Sequence, residues 1–286
     1  MASPVAAIDT PVRGPLVDPR LRELATRLQN AARECLWFGL KEARACLFAG
    51  LFFAAVMLVP RGGIGPVPRY DALLLFAVAV QVWMVWSGRE TRDELLAICL
   101  FHAFGFALEL FKTSSTIRSW SYPDFAYTKL WGVPLFSGFM YASVGSYVIQ
   151  AWRLFDLRIE GHPRFWMSGL ATIFLYANFF THHYIGDYRW YLAAFALGIY
   201  ARTHVVFRPS RRELRMPLPL AFVLIGFFIW LAENLGTFFH LWSYPHQLGA
   251  WSRVHVTKWG AWSLLVLLSF SIVAQLRHFR AKIRVV

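Results

Sequence analysis

Apolar runs of bilayer length recur along the whole chain, and no other feature limits its fold so severely. A helix that crosses the hydrocarbon layer needs roughly 20 mainly apolar residues, because that layer is about 30 Å thick and each helical residue advances about 1.5 Å. Eight segments approach that length: residues 43–59, 70–86, 93–111, 130–152, 165–181, 188–206, 217–236 and 259–276. Of 286 residues 57% are hydrophobic and only 16% charged, too few polar side chains to cover a soluble globule of this size. The expected fold is all-α, a polytopic helical membrane protein with about eight transmembrane helices.

The segment before the first run reads differently. Residues 1–20, with Pro4, Pro11, Pro15 and Pro19, have no hydrophobic periodicity and no apolar stretch of the kind a cleavable signal peptide carries, so a disordered tail is expected. Across residues 21–42, Leu21, Leu24, Leu28 and Ala32 recur at helical spacing while Arg20, Arg22, Arg27 and Arg33 take other positions. That pattern predicts an amphipathic helix lying on the membrane surface. Residues 43–286 then form a single transmembrane domain. Cys35, Cys46 and Cys99 have neither disulfide nor zinc spacing.

Net charge is +13, but the basic residues sit in connecting loops, so the expected partner is membrane lipid and not nucleic acid. Sorted by side across the eight segments, 21 of the 29 lysines and arginines fall on the side of the two termini. By the positive-inside rule both termini are cytoplasmic.

The chain carries an internal repeat. Glu109 precedes Ser119-Trp120-Ser121-Tyr122-Pro123, then Thr128-Lys129 and Trp131-Gly132 at the opening of the fourth segment. Glu233 precedes Leu241-Trp242-Ser243-Tyr244-Pro245, then Thr257-Lys258-Trp259-Gly260 at the opening of the eighth. The expected topology puts both copies on one side, which predicts two parallel four-helix halves, about 43–152 and 165–276, related by a pseudo-twofold along the membrane normal. Trp and Tyr at these exits also suit the membrane interface without any further role.

An ionisable group in a spanning helix costs about 2.5–3.5 kcal/mol on insertion scales unless it faces protein or water, so Glu109 and Glu233 stand out. His102 lies on the face of Glu109, with Lys112 one turn beyond, and Glu233, Thr237 and His240 follow i, i+4, i+7 spacing if their helix continues that far. Asn178 and His182 are i, i+4 neighbours at the end of the fifth segment, followed by His183 and Asp187. Three readings are open. Glu109 and Glu233 could act as general acid and base, assisted by His182 and His240, on an apolar substrate held by Trp120, Tyr122, Trp242, Tyr244, Asn178 and Asn234. A metal could be bound by His182, His183, Asp187 and His240, although no HxxxH or HExxH spacing is present and no cofactor is otherwise indicated. The polar groups could also form a purely structural network that locks helices together. From another class, a proton-coupled transporter built on the repeat is the alternative to an enzyme. Ser137, Gly138, Ser143, Gly145 and Ser146 give the fourth helix a small-residue surface for close packing.

Five strings carry a resemblance: Leu108-Glu109-Leu110-Phe111-Lys112; Ser119-Trp120-Ser121-Tyr122-Pro123; Gly132-Val133-Pro134-Leu135-Phe136-Ser137-Gly138-Phe139-Met140-Tyr141-Ala142-Ser143; Asn178-Phe179-Phe180-Thr181-His182-His183; and Trp230-Leu231-Ala232-Glu233-Asn234. Over most of the chain from about Ala43 the sequence resembles the YoaT-like family of bacterial membrane proteins of unknown function. The resemblance implies a bacterial inner-membrane location and no particular activity. A glutamate near a helix end followed by an aromatic exit is also similar to carotenoid hydratases and small membrane lycopene cyclases, which implies an isoprenoid or lipid substrate.

Overall fold

The computed structural model describes residues 18–283, so the expected tail lies, as far as residue 17, outside the described residues. Helices dominate them: α1 (Pro19–Ala45), α2 (Leu47–Leu58), α3 (Arg69–Trp86), α4 (Arg92–Thr113), α5 (Ser137–Leu154), α6 (Phe165–Thr181), α7 (Arg189–Tyr200), α8 (Leu218–Phe238) and α9 (Thr257–Ile283). Four are long and apolar enough to cross a membrane, namely α3, α4, α8 and the Thr257–His278 part of α9. One of them, α4, opens on a capping box. At α4, Thr91 Oγ1 accepts from the Glu94 N–H at 3.2 Å while Glu94 Oε2 accepts from the Thr91 N–H at 2.8 Å, which satisfies two otherwise orphaned donors.

Three apolar segments are shorter as helices than their hydropathy suggests. Helix α2 covers only 12 residues of the 43–59 run and α7 only 12 of the 188–206 run, a reach of about 18 Å each. After α7 the chain turns into β4 (His204–Phe207), paired antiparallel with β3 (Arg158–Glu160) and β5 (Leu214–Pro217). Val205, Val206 and Phe207 are β-branched or aromatic and are buried in that strand. The 130–152 run begins as a hairpin of β1 (Lys129–Leu130) and β2 (Val133–Pro134), and α5 starts only at Ser137. Trp131 and Gly132 form its two-residue turn with φ of 49° and 85°, the positive pair that twists with the flanking strands. Trp131-Gly132 is thus a turn, whereas Trp259-Gly260 lies inside α9.

Helix α4 packs along α5, α8 along α9, and α5 against α9 in the middle. Small residues permit this closeness. A Cβ on Gly145 of α5 would come within 2.3 Å of the Phe101 ring of α4, and one on Gly226 of α8 within 2.3 Å of Ser263 Oγ of α9. Helix α1 is tied to the β4–β5 connection: Lys41 Nζ donates to the Arg208 carbonyl at 2.7 Å, and Glu34 accepts from the Ser210 and Arg211 N–H groups. Its Leu21, Leu24 and Leu28 remain exposed. At the opposite end of the molecule, Arg69 and Tyr70 at the start of α3 donate to the carbonyls of Phe239 and Leu241, just beyond α8.

Candidate functional site

Glu109 and Glu233 stand in the last turns of α4 and α8 and are almost fully buried, at 2% and 4% exposure. Each carboxylate is ringed by aromatic donors. Glu109 Oε1 accepts from the Tyr141 hydroxyl at 2.7 Å, and Oε2 from Trp120 Nε1 and the Tyr122 hydroxyl, both at 2.8 Å. Glu233 accepts from the Tyr244 hydroxyl at Oε1 and from Trp262 Nε1 at Oε2, at 2.5 and 2.7 Å. Burying an ion is costly, and these hydrogen bonds offset part of that cost.

Local sequence sets this geometry. Each glutamate takes one tyrosine from the Trp-Ser-Tyr-Pro exit of its own helix and one aromatic donor from the next long helix, Tyr141 of α5 or Trp262 of α9. Gly105, one turn before Glu109, makes room for Tyr141: a Cβ there would sit 2.3 Å from its ring. Gly236 does the same for Trp242, at 2.4 Å. The two centres adjoin, since the Trp120 and Tyr244 rings are edge to face with centroids 6.0 Å apart. Lys258 Nζ lies over both rings, 5.3 Å from Trp120 and 4.7 Å from Tyr244, and interacts electrostatically with both carboxylates.

Beside them, buried Lys112 donates to His183 Nε2 at 2.8 Å and His182 Nε2 at 3.3 Å. His182 Nδ1 lies 2.7 Å from the Asn178 carbonyl, so Nδ1 carries the proton and Nε2 is left as acceptor. Burial, then repulsion from Lys112, from His182 whenever it is protonated, and from Arg189 and Lys258, pulls His183 down to about 4. Asp187 stays below the usual carboxylate range: burial pushes it up, and hydrogen bonds from Arg189 pull harder the other way. The three polar groups expected around Glu109, His182 and Glu233 thus meet at one end of the helices.

They border a cavity of about 820 Å³ that runs beside α5 and α9. Its polar end carries Glu109, Lys112, His182, Arg189, Glu233 and Lys258, and its far end Glu42, Tyr147, Phe155 and Phe207. Between them the walls are mainly apolar, with Val144, Leu175, Phe222 and Val266 among the lining residues. Trp120, Tyr122, Trp242, Tyr244 and Asn178 also line it. The metal candidates His183 and Asp187 do not, and neither do two of the expected catalytic and substrate-binding residues. Helix α8 ends at Phe238, and His240 follows in a turn with φ of 55°, so the i+7 relation to Glu233 is lost. Asn234 instead braces the loop, donating to the Trp230 carbonyl and accepting from the Val254 N–H. Among the described residues no group of three or more His, Cys, Asp or Glu side chains is assembled to hold a metal, so His182, His183, Asp187 and His240 do not form a shared ligand set.

Spacing alone did not single out Tyr141 and Trp262, which reach the glutamates from 32 and 29 residues away. It also missed Glu90, buried between α3 and α4 and hydrogen-bonded by Gln81 and Ser146.

The length and apolarity of four helices are those of a helical membrane protein, here with two buried carboxylates at one end of a partly open cavity. The chain belongs to the family described as protein of unknown function (DUF817), whose pattern matches residues 34–270. It is 47% identical over 251 residues to the uncharacterized protein YoaT of Bacillus subtilis (strain 168), a match covering 88% of this chain and 94% of that one. The resemblance drawn from the five strings is therefore to the right family. No solved structure matches.

Proposed function

We propose that this protein is an intramembrane enzyme that performs acid/base chemistry on an elongated apolar substrate, of the isoprenoid or lipid class. The observation that carries the reading is the placement of two buried, aromatic-ringed carboxylates at one end of a long apolar cavity. The reaction is a proton relocation without net redox change. Glu233, with one hydrogen-bond donor fewer, delivers a proton to the substrate, and Glu109 removes one from it. Lys258 lies between the two centres and limits the build-up of charge. A largely apolar cavity with a few convergent polar groups is the usual form of a small-molecule site.

The same reading includes two parallel four-helix halves, inserted in the bacterial inner membrane with both termini cytoplasmic and α1 on its surface. Three observations support it. Helix contacts recur in the same order in both halves, with α2 on α3 and α5, and α6 on α7 and α9. Both glutamates have matching partners, and the leucine stripe of α1 faces away from the protein. The direct test is mass spectrometry of the organic extract from purified protein. An apolar molecule long enough to fill the cavity, recovered in near-equal amount with the protein, is expected. Recovery of bulk phospholipid alone, in the proportions of the host membrane, would contradict the reading.

A further inference from the structure

Three cationic side chains meet at the polar end of the cavity, and each departs from what the proposed repeat assigns to its counterpart. Arg69, which opens α3, donates to the carbonyls of Phe239 at 2.8 Å and Val56 at 2.9 Å. Arg189, which opens α7, instead lines the cavity, where Asp187 holds it at 2.7 Å. Lys129 donates to the Tyr122 carbonyl at 2.7 Å, whereas its counterpart Lys258 points its ammonium over Trp120 and Tyr244 at the cavity wall. Lys112 stands three residues after Glu109, where the other half has Gly236 three residues after Glu233.

Lys112 is the most informative of the three. Only 6% exposed, it has two imidazoles as hydrogen-bond partners and, among the described residues, no carboxylate in an ion pair. The third ammonium hydrogen is left for the cavity that it lines. A buried cation without a counter-ion is costly, and an anionic ligand removes that cost. The far end of the cavity has the opposite character, for Glu42 lies there and accepts from the Tyr147 hydroxyl at 3.1 Å. The cationic donors named here thus stand at one end only, beside the two glutamates, and that asymmetry orients a long ligand with an anionic head.

We propose that the polar end of the cavity holds the phosphate headgroup of an amphiphile whose apolar chain fills the remainder, with Lys112, Arg189 and Lys258 as the cations that bind it. This rests on the reading of the cavity as an apolar-substrate site and adds the headgroup to it. Phosphate fits better than carboxylate because a monoester carries about −1.5 to −2 charges near neutral pH and offers oxygens to several donors at once, matching an arginine and two lysines.

The test is native mass spectrometry of the purified protein in non-ionic detergent with hexadecyl phosphate, hexadecanol or inorganic phosphate. Hexadecyl phosphate is expected to occupy the protein at a concentration at least about tenfold below hexadecanol, with inorganic phosphate alone unbound there. Lys112→Met and Arg189→Gln should each narrow that gap by lowering hexadecyl phosphate occupancy more than hexadecanol occupancy. Arg189 is the less buried of the two, so its variant keeps the test decisive if Lys112→Met fails to fold. Equal occupancy by the two alkyl ligands, or a preference untouched in a folded variant, would overturn the headgroup. Inorganic phosphate binding as tightly as the alkyl phosphate would overturn the amphiphile. Binding of neither alkyl ligand to folded wild type would remove the apolar-substrate reading itself, and the headgroup with it.

Discussion

Ser121 and Ser243 pair with each other through both backbone groups: the Ser121 N–H donates to the Ser243 carbonyl at 3.0 Å, and the Ser243 N–H to the Ser121 carbonyl at 2.9 Å. Each is the serine of a Trp-Ser-Tyr-Pro exit. Reciprocal pairing of equivalent positions is compatible with the twofold relation proposed for the two halves. It also brings Trp120, a donor to Glu109, against Tyr244, a donor to Glu233.

That contact predicts a cross-link. Residues that exchange both backbone bonds in an antiparallel pair have Cα atoms about 5.5 Å apart, within the range that a disulfide spans. With Cys35, Cys46 and Cys99 replaced by serine, the double variant Ser121→Cys, Ser243→Cys should form a disulfide on oxidation. After cleavage at a protease site inserted at exposed Arg211 and Arg212, the fragments should stay joined on a non-reducing gel. Fragments that separate under oxidising conditions would show that the two exits do not meet.

Glutamine and alanine should behave differently at Glu109. A glutamine can turn its oxygen toward Trp120 and Tyr122 and its NH₂ toward Tyr141, whose hydroxyl can accept as well as donate. Glu109→Gln should therefore stay close to wild type in melting temperature. Glu109→Ala leaves three donors unpaired, at about 1–3 kcal/mol for each buried group, although such costs are not additive. Thermal unfolding in detergent checks this, and equal destabilisation by the two substitutions would contradict the hydrogen-bond arrangement.

Acid should weaken the cluster around Lys112. His183 is held at about 4 in the folded protein, against about 6.5 when unfolded, so protonation favours the unfolded chain. Its contribution is fully present above about pH 6.5 and is lost as pH falls toward about 4. The melting temperature should drop between pH 7 and pH 5, and His183→Asn should make that drop smaller. An unchanged pH dependence in His183→Asn would assign the effect to other groups.

Much of the site was legible because α4 and α8 end on the same ordered features, a glutamate and then a Trp-Ser-Tyr-Pro exit, and local order survives folding. Tyr141 and Trp262 were not, since their meeting with the glutamates depends on how α5 and α9 pack, for which no spacing stands. Hydropathy overstated α7 because Val205, Val206 and Phe207 are as apolar in a strand as in a helix. It overstated the 130–152 run because the turn residues Trp131 and Gly132 sit between apolar neighbours. His240 was lost by two residues: the i, i+4, i+7 pattern holds to Thr237, and α8 stops at Phe238.

The most direct measurement compares the molecules extracted from wild type and from Glu233→Gln, purified in parallel from the same host and matched for melting temperature. An amide cannot deliver the proton, so the variant should retain an unconverted apolar molecule that wild type lacks, and wild type should hold an isomer or other proton-transfer product of it. Identical extracts from two equally folded proteins would contradict a catalytic role for the buried carboxylate pair and leave it a structural clasp between helices.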